Sequence, residues 1–502
     1  MLNGSESIAT FVIVLAAFGI LAWGYNRAKS YGKLGILAWL QSVVLMAPWL
    51  IFFGLFAVGI YLNLVGILFL LIASVAIYIW LGRQLRAAGQ EAILKQKATE
   101  RLKAEAEANF EEKQKEPTVS DKEGASIEIM PIPDEEMATI KEIFGIDSFF
   151  ATETISYQDG AIFKGNLRGE PDKVYSTLTQ KLEEKLGEKY RLFLVESPEE
   201  KPVVVVLPST NDPKPTTLIQ KNLALVLAIA TVVTSLEAAS LLLGFDLFSN
   251  LGRYREAIPL SLGLWTILIA HEIGHWVMAK RHDIRLSVPF FLPTWQIGSF
   301  GAITRFESLI PNRTVLFDVA FAGPAAGGII SLVMLITGLL LSHPGSLFKL
   351  PAEFFQGSVL VGTLAKVTLG SALQQALVDI HPLVIIGWLG LVITSLNLLP
   401  TGQLDGGRIV QAIYGRKIAR RTSIATLVVL GLVALFNPSN PIPLYWAILI
   451  LFLQRDLERP SLNELSEPDD ARAAWGLLAL FLMLATLIPL SPSLAGRLGI
   501  GL

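Results

Sequence analysis

The sequence predicts an all-α polytopic membrane protein of about ten transmembrane helices, with a membrane-associated β-hairpin and a small soluble α+β domain. Three observations lead there. Hydrophobic residues fill 52% of 502 positions and charged residues only 17%, with a mean hydropathy of +0.53, too apolar for a surface facing water. Apolar runs near bilayer length recur along the whole chain. One long polar stretch, 83–218, interrupts them.

The first three runs cover roughly 8–24, 35–59 and 63–82, with a tight turn near Tyr61–Asn63. The run Ile8–Trp23 lacks a basic segment before it and is followed by Arg27, Lys29 and Lys33. It is expected to be a retained span with its N-terminus outside. After the polar stretch come runs at roughly 219–243, 258–280, 318–341, 383–400, 422–437, 443–456 and 473–490. If the spans alternate, the basic clusters at Arg27–Lys33, Arg83–Lys103, Lys280–Arg285 and Arg408–Arg421 fall on one side, the cytoplasm or its stromal equivalent. A net charge of −2 with no dominant basic block gives no footprint for nucleic acid.

The polar stretch subdivides. Residues 83–133 read as a charged helix and a flexible linker, and 134–215 as a compact domain ordered α-β-β-α-β-β. Its elements are a helix at 134–144, strands at 149–156 and 161–166 around Gln158-Asp159-Gly160, a helix opened by Pro171, and strands at 190–196 and 202–207. The remaining divisions are a membrane region at 1–82, a core at 216–421 and C-terminal helices at 422–502.

The chemistry is concentrated in His271-Glu272-Ile273-Gly274-His275, inside the run 258–280. Histidines at i and i+4 share one helix face, so both imidazoles reach one metal ion. The glutamate between them can face water at that metal. A polar patch between packed helices is the plain alternative, but these side chains inside a span are costly unless paired, metallated or wet. The chain has no cysteine, so any metal must be held by histidine and carboxylate.

A catalytic zinc site needs a third protein ligand. His282 follows the motif too closely, and His343 and His381 are expected on the opposite face. The run 383–400 ends in Asn397-Leu398-Leu399-Pro400-Thr401-Gly402-Gln403-Leu404-Asp405-Gly406. Pro400 and Gly402 should break the helix at the depth of His271 and His275, letting the chain fold back with Asp405. Asp405 reads equally well as the N-cap of a helix beginning at Gly406. The metal's need for a carboxylate favours the ligand, and one arrangement could satisfy both.

At these residues the sequence resembles the site-2 proteases, zinc enzymes of regulated intramembrane proteolysis. His271-Glu272-x-x-His275 and Asn397-x-x-Pro400-x-x-x-x-Asp405-Gly406 match both family motifs, and Phe321–Gly327 is similar to a third feature. Gly165–Pro171 is similar to the chloroplast and cyanobacterial branch named for ethylene-dependent gravitropism-deficient and yellow-green plants. The resemblance implies Zn²⁺ held by His271, His275 and Asp405, with Glu272 as general base and Asn397 holding substrate backbone or oxyanion. For Asn397 a helix-packing amide is the alternative. It implies a transmembrane protein substrate of the anti-sigma-factor or membrane-tethered-regulator type. It also implies a plasma or thylakoid membrane, with the soluble domain and active site toward the cytoplasmic or stromal side.

The segments Ser287–Pro293 and Ile297–Phe306 alternate β-formers with glycine and breakers, predicting a hairpin that dips into the membrane. Its edge, around Gly301, could pair with an unwound substrate, whereas a plain packed loop is the alternative. Glu237, inside 219–243, is expected to snorkel or make a structural hydrogen bond. Gly54, Gly59, Gly327 and Gly328 read as close-packing sites. Rival readings are a prenyl-protein type of membrane metalloprotease, which needs a helical glutamate as third ligand, a transporter with a polar path, and a catalytically silent scaffold.

Overall fold

The computed structural model describes residues 132–500 apart from 158, 198, 296, 438, 439, 441, 454 and 455, and before them helix α1 (Gly32–Ala57) with scattered positions between 22 and 85. Most of the expected spans at 8–24 and 63–82, the turn at Tyr61–Asn63, Gly59 and nearly all of the charged helix and linker at 83–133 lie outside the described residues. The described residues fall into two units, one holding α1 and the other residues 132–431 and 442–500.

In the second unit the chain opens with α2 (Asp134–Lys141), β1 (Phe149–Tyr157), β2 (Gly160–Leu167), α3 (Pro171–Leu186), β3 (Tyr190–Glu196) and β4 (Pro202–Pro208). This is the order expected from the turn and helix signals. The strands form one antiparallel sheet in the order β1-β2-β4-β3. Pro171 occupies the first turn of α3, and Val174, Leu178 and Leu182 turn its apolar stripe onto Phe163, Leu192 and Val204. Lys189 and the Tyr190 hydroxyl both donate to Glu136, holding its carboxyl below the usual glutamate range. Burial, then the Glu136 contact, push the Tyr190 phenol up.

The apolar part follows as α4 (Leu218–Leu242), α5 (Tyr254–Arg281), β5 (Phe290–Thr294), β6 (Gly298–Ile303), α6 (Arg313–Leu341), β7 (Phe348–Pro351), α7 (Val359–Leu369), β8 (Leu377–Ile380), α8 (Pro382–Asn397), α9 (Asp405–Phe436), α10 (Ile442–Leu453), α11 (Asp470–Leu487) and α12 (Pro492–Leu498). Among the described residues five helices are long and apolar enough to cross a membrane: α4, α5, α6, α9 and α11. Helix starts follow capping chemistry: Thr217 and Gln220 form a capping box for α4, and Asn312 and Asp469 cap α6 and α11.

Three findings differ from the sequence reading. α8 has only 16 residues, yet it is buried along most of its length between α5 and α6, with Gly387 and Gly390 against Leu335 and Ser331. It is shorter than the run 383–400 read as a span, and it packs within the helix core. α9 extends through the basic stretch Arg408–Arg421, so the boundary drawn at 421/422 falls inside it. That helix is broken instead at Gly415, whose φ of +78° suits glycine. Between α6 and α8 the chain builds the antiparallel pair β7–β8 with α7 between its strands, none of which had a sequence signal.

Candidate metal centre

α5 presents His271 and His275 one turn apart, both buried. α6 crosses this face closely enough to need small residues. A Cβ on Gly323 would lie 2.2 Å from His275 Nε2, and one on Gly327 would lie 3.1 Å from the His271 Cβ. Thus Gly327 is the close-packing site expected, whereas Gly328 meets only Thr394 at 3.6 Å. The His275 Nδ1 lies 2.8 Å from the Val319 carbonyl oxygen, an acceptor. Nδ1 therefore carries a proton, so the neutral ring presents Nε2 as its lone pair.

Asp405 comes from the far end of α8. After Asn397 the chain reverses through Leu398–Leu404, with Thr401 N donating to Leu399 O at 2.7 Å and Gly402 N to the Ser423 hydroxyl at 2.9 Å. Gly406 sits so tightly under this turn that a Cβ would lie 1.9 Å from Leu398 O. The turn delivers the buried Asp405 carboxylate to the two imidazoles, across 134 positions of sequence. α9 already begins at Asp405, and the carboxylate faces the histidines.

The three facing atoms define a triangle. His271 Nε2 to Asp405 Oδ2 is 3.1 Å, His271 Nε2 to His275 Nε2 is 3.1 Å, and His275 Nε2 to Asp405 Oδ2 is 3.4 Å. Ligands about 2.0–2.1 Å from a tetrahedral zinc stand about 3.3 Å apart, so the triangle has the size of one tetrahedral face. With both rings neutral and Nε2 unprotonated, two nitrogens and a carboxylate converge as electron-pair donors, an arrangement suited to a cation. Among the described residues, no other group of three His, Asp or Glu side chains has this geometry.

Glu272 is half-buried beside this triangle, and the Thr304 hydroxyl donates to its Oε2 at 2.8 Å. Thr304 follows β6 directly, so the hairpin anticipated at 287–306 holds this glutamate. The strands pair Phe290 with Ile303 and Thr294 with Gly298. Gly301 has a φ of +100°, and a Cβ there would lie 2.6 Å from Asn397 Nδ2. Asn397 itself donates to Phe300 O at 3.3 Å and Ile393 O at 3.0 Å. Side chains engage three carbonyl oxygens along β6 and just after it. Thr234 binds Gly298 O, Asn397 binds Phe300 O and Arg408 binds Thr304 O. Glu237 does not snorkel: it is 1% exposed and accepts hydrogen bonds from Leu247 N and the Ser240 hydroxyl.

Peptidase family M50 matches residues 259–436, a range containing both histidines, Glu272 and Asp405, and the EGY3 middle domain matches 138–214. The chain is 36% identical over 398 residues to the protein named probable zinc metalloprotease EGY1, chloroplastic, of Arabidopsis thaliana, covering 72% of each chain. It belongs to peptidase family M50, the site-2 protease type. Probable zinc metalloprotease EGY2 of Arabidopsis thaliana is 38% identical over 371 residues, covering 72% of this chain and 66% of the relative. Probable zinc metalloprotease EGY3 of Oryza sativa subsp. japonica is 33% identical over 373 residues, covering 70% and 63%. This M50 chain thus spans about two thirds of the length of the EGY2 relatives, 64–66%. No solved structure matches it. These relatives are named zinc metalloproteases, and His271, His275 and Asp405 form a group that could hold a metal ion.

Sequence reasoning missed Thr304, Val319, Arg408 and Glu458. Threonine, valine and arginine carry no metal-site signature, Glu458 stands in no ligand motif, and their contacts close over long sequence separations.

Proposed function

We propose that this M50 protein is an intramembrane metalloprotease that hydrolyses peptide bonds in or beside the transmembrane segments of membrane-tethered proteins. The observation that carries the reading is the convergence of His271, His275 and Asp405 beside a glutamate fixed by a hydrogen bond. In this reading the three converging side chains are the ligands. Zinc bound there supplies Lewis acidity, lowering the pKa of water toward about 7 and polarising a carbonyl oxygen.

The protein's own groups do the rest. Glu272 takes the proton from the attacking water and passes it to the leaving amine. The Thr304 hydroxyl engages one carboxylate oxygen and so orients the other. Val319 O keeps the His275 ring in the tautomer that presents Nε2. Asn397 and Gly301 act by placing the hairpin beside Glu272, a role that fits their contacts better than direct capture of an oxyanion. A helical substrate must unwind first, because its peptide groups are internally hydrogen-bonded.

The wider proposal keeps about ten spans, with the soluble domain at 134–215 and the site toward the cytoplasmic or stromal side. Substrates are of the anti-sigma-factor or membrane-tethered-regulator type. The relatives' chloroplastic names favour a thylakoid over a plasma membrane. The test is cleavage of a tethered reporter in membranes by the chain and by Glu272→Gln. The variant should retain zinc and lose cleavage by at least about 10²-fold. Equal cleavage by both removes Glu272 as base.

A further inference from the structure

Arg408 has no role in the motif that contains it, yet its side chain joins the two halves of the centre. It lies one turn after Asp405 and is 5% exposed. Its Nη1 is 3.8 Å from Asp405 Oδ1, the oxygen turned away from the histidines. Its Nη2 donates to Thr304 O at 2.9 Å, and the Thr304 hydroxyl in turn binds Glu272. One guanidinium therefore touches the carboxylate that closes the metal triangle and, through a single threonine, reaches the glutamate beside it.

The guanidinium is itself held from outside the site. Its Nε donates to Glu458 Oε2 at 2.9 Å, and Nη2 lies equally close to the same oxygen. Glu458 is 6% exposed, so the pair is dry and little screened. Glu458 sits on the segment between α10 and α11, and that segment is clamped to the soluble domain. Leu194 of β3 donates to Leu462 O at 2.7 Å and accepts from Glu464 N at 2.9 Å, while the Asn463 amide donates to Asp172 of α3 at 2.8 Å. On its other side Leu462 N and Asn463 N donate to Ile310 O and Pro311 O, in the chain leading from the hairpin to α6.

A buried guanidinium this close to a metal-binding carboxylate competes with the metal for it unless its charge is balanced. Glu458 provides that balance. We propose that Arg408 and Glu458 form a positioning pair that holds Asp405 and Glu272 in register, and that the 458–464 segment fixes this pair against the soluble domain. The proposal rests on reading His271, His275 and Asp405 as ligands.

The test uses the full chain in detergent micelles, with the zinc dissociation constant measured by chelator competition alongside the melting temperature and turnover of a tethered reporter. Glu458→Gln preserves shape while unbalancing Arg408, and should weaken zinc binding by about 10- to 100-fold. The double variant Arg408→Gln/Glu458→Gln removes the competing charge. It should recover most of the zinc affinity but not the turnover, because Thr304 has lost its anchor. A merely structural role predicts that affinity follows melting temperature and that the double variant is the worst of the set. Wild-type zinc affinity in Glu458→Gln, or no recovery in the double variant, overturns the proposal. His271→Ala separates the two levels: if zinc binding survives it unchanged, the metal-site reading itself fails.

Discussion

Gly323→Ala tests the helix contact that seats His275. The added Cβ would stand 2.2 Å from Nε2, 2.5 Å from Cδ2 and 2.6 Å from Cε1 of the ring, against carbon contacts of about 3.5–4.0 Å at rest. The ring must move by about 1 Å or more, several times the ±0.2 Å that a metal bond tolerates. Parting the helices instead would open their close contact at Gly274, where a Cβ would lie 2.4 Å from Ala322 O. If three or four ligands share about 10–16 kcal/mol of zinc affinity, losing one costs about 3 kcal/mol, or roughly 10²-fold in the dissociation constant. Overpacking should add about 1–3 kcal/mol of destabilisation. Gly328→Ala is the matched control, because its Cβ meets only Thr394 at the ordinary distance of 3.6 Å. Chelator competition and thermal unfolding read both variants. Wild-type zinc affinity in folded Gly323→Ala, or equal losses in the two, would refute the reasoning.

Further outcomes follow from single contacts. Thr304→Val removes the hydrogen bond to Glu272; turnover should fall about tenfold, equivalent to about 1.4 kcal/mol, with zinc content unchanged. Glu237→Ala strands the Leu247 amide, bonded at 3.0 Å, and should destabilise the fold by about 1–3 kcal/mol in denaturant titrations without altering zinc affinity. Glu136 has its folded pKa depressed by Lys189 and Tyr190 from an ordinary 4.5. Its contribution is therefore full above that value and fades as pH falls through the lower folded pKa. Amide exchange at β3, corrected for intrinsic rates, should accelerate in acid, and Glu136→Gln should lose that part of the acid dependence.

How much could be read beforehand varies with how local each signal is. His271, Glu272 and His275 are legible because helical geometry alone puts i and i+4 on one face. Asp405 is distant in sequence, yet Pro400 and Gly402 mark the reversal that brings it back. Thr304, Arg408 and Glu458 have no such mark: they are ordinary residue types whose meaning arises only when β6, α9 and the 458–464 segment meet. α8 is apolar and mostly buried, and apolar content alone does not separate burial in protein from burial in lipid. The β7–β8 strands have four residues each, too short for alternation to stand out. For Asn397 the family motif suggests substrate or oxyanion and its place in an apolar helix suggests a packing amide; its bond to Phe300 O is the contact the second reading requires.

Everything in this mechanism depends on two imidazoles and one carboxylate sharing a single metal ion. Anomalous diffraction at the zinc edge from crystals of the zinc-loaded chain measures that directly. One peak should lie about 2.0–2.1 Å from His271 Nε2, His275 Nε2 and Asp405 Oδ2 together. A peak bound elsewhere, or one at the histidines with the Asp405 carboxylate out of bonding range, would contradict the account.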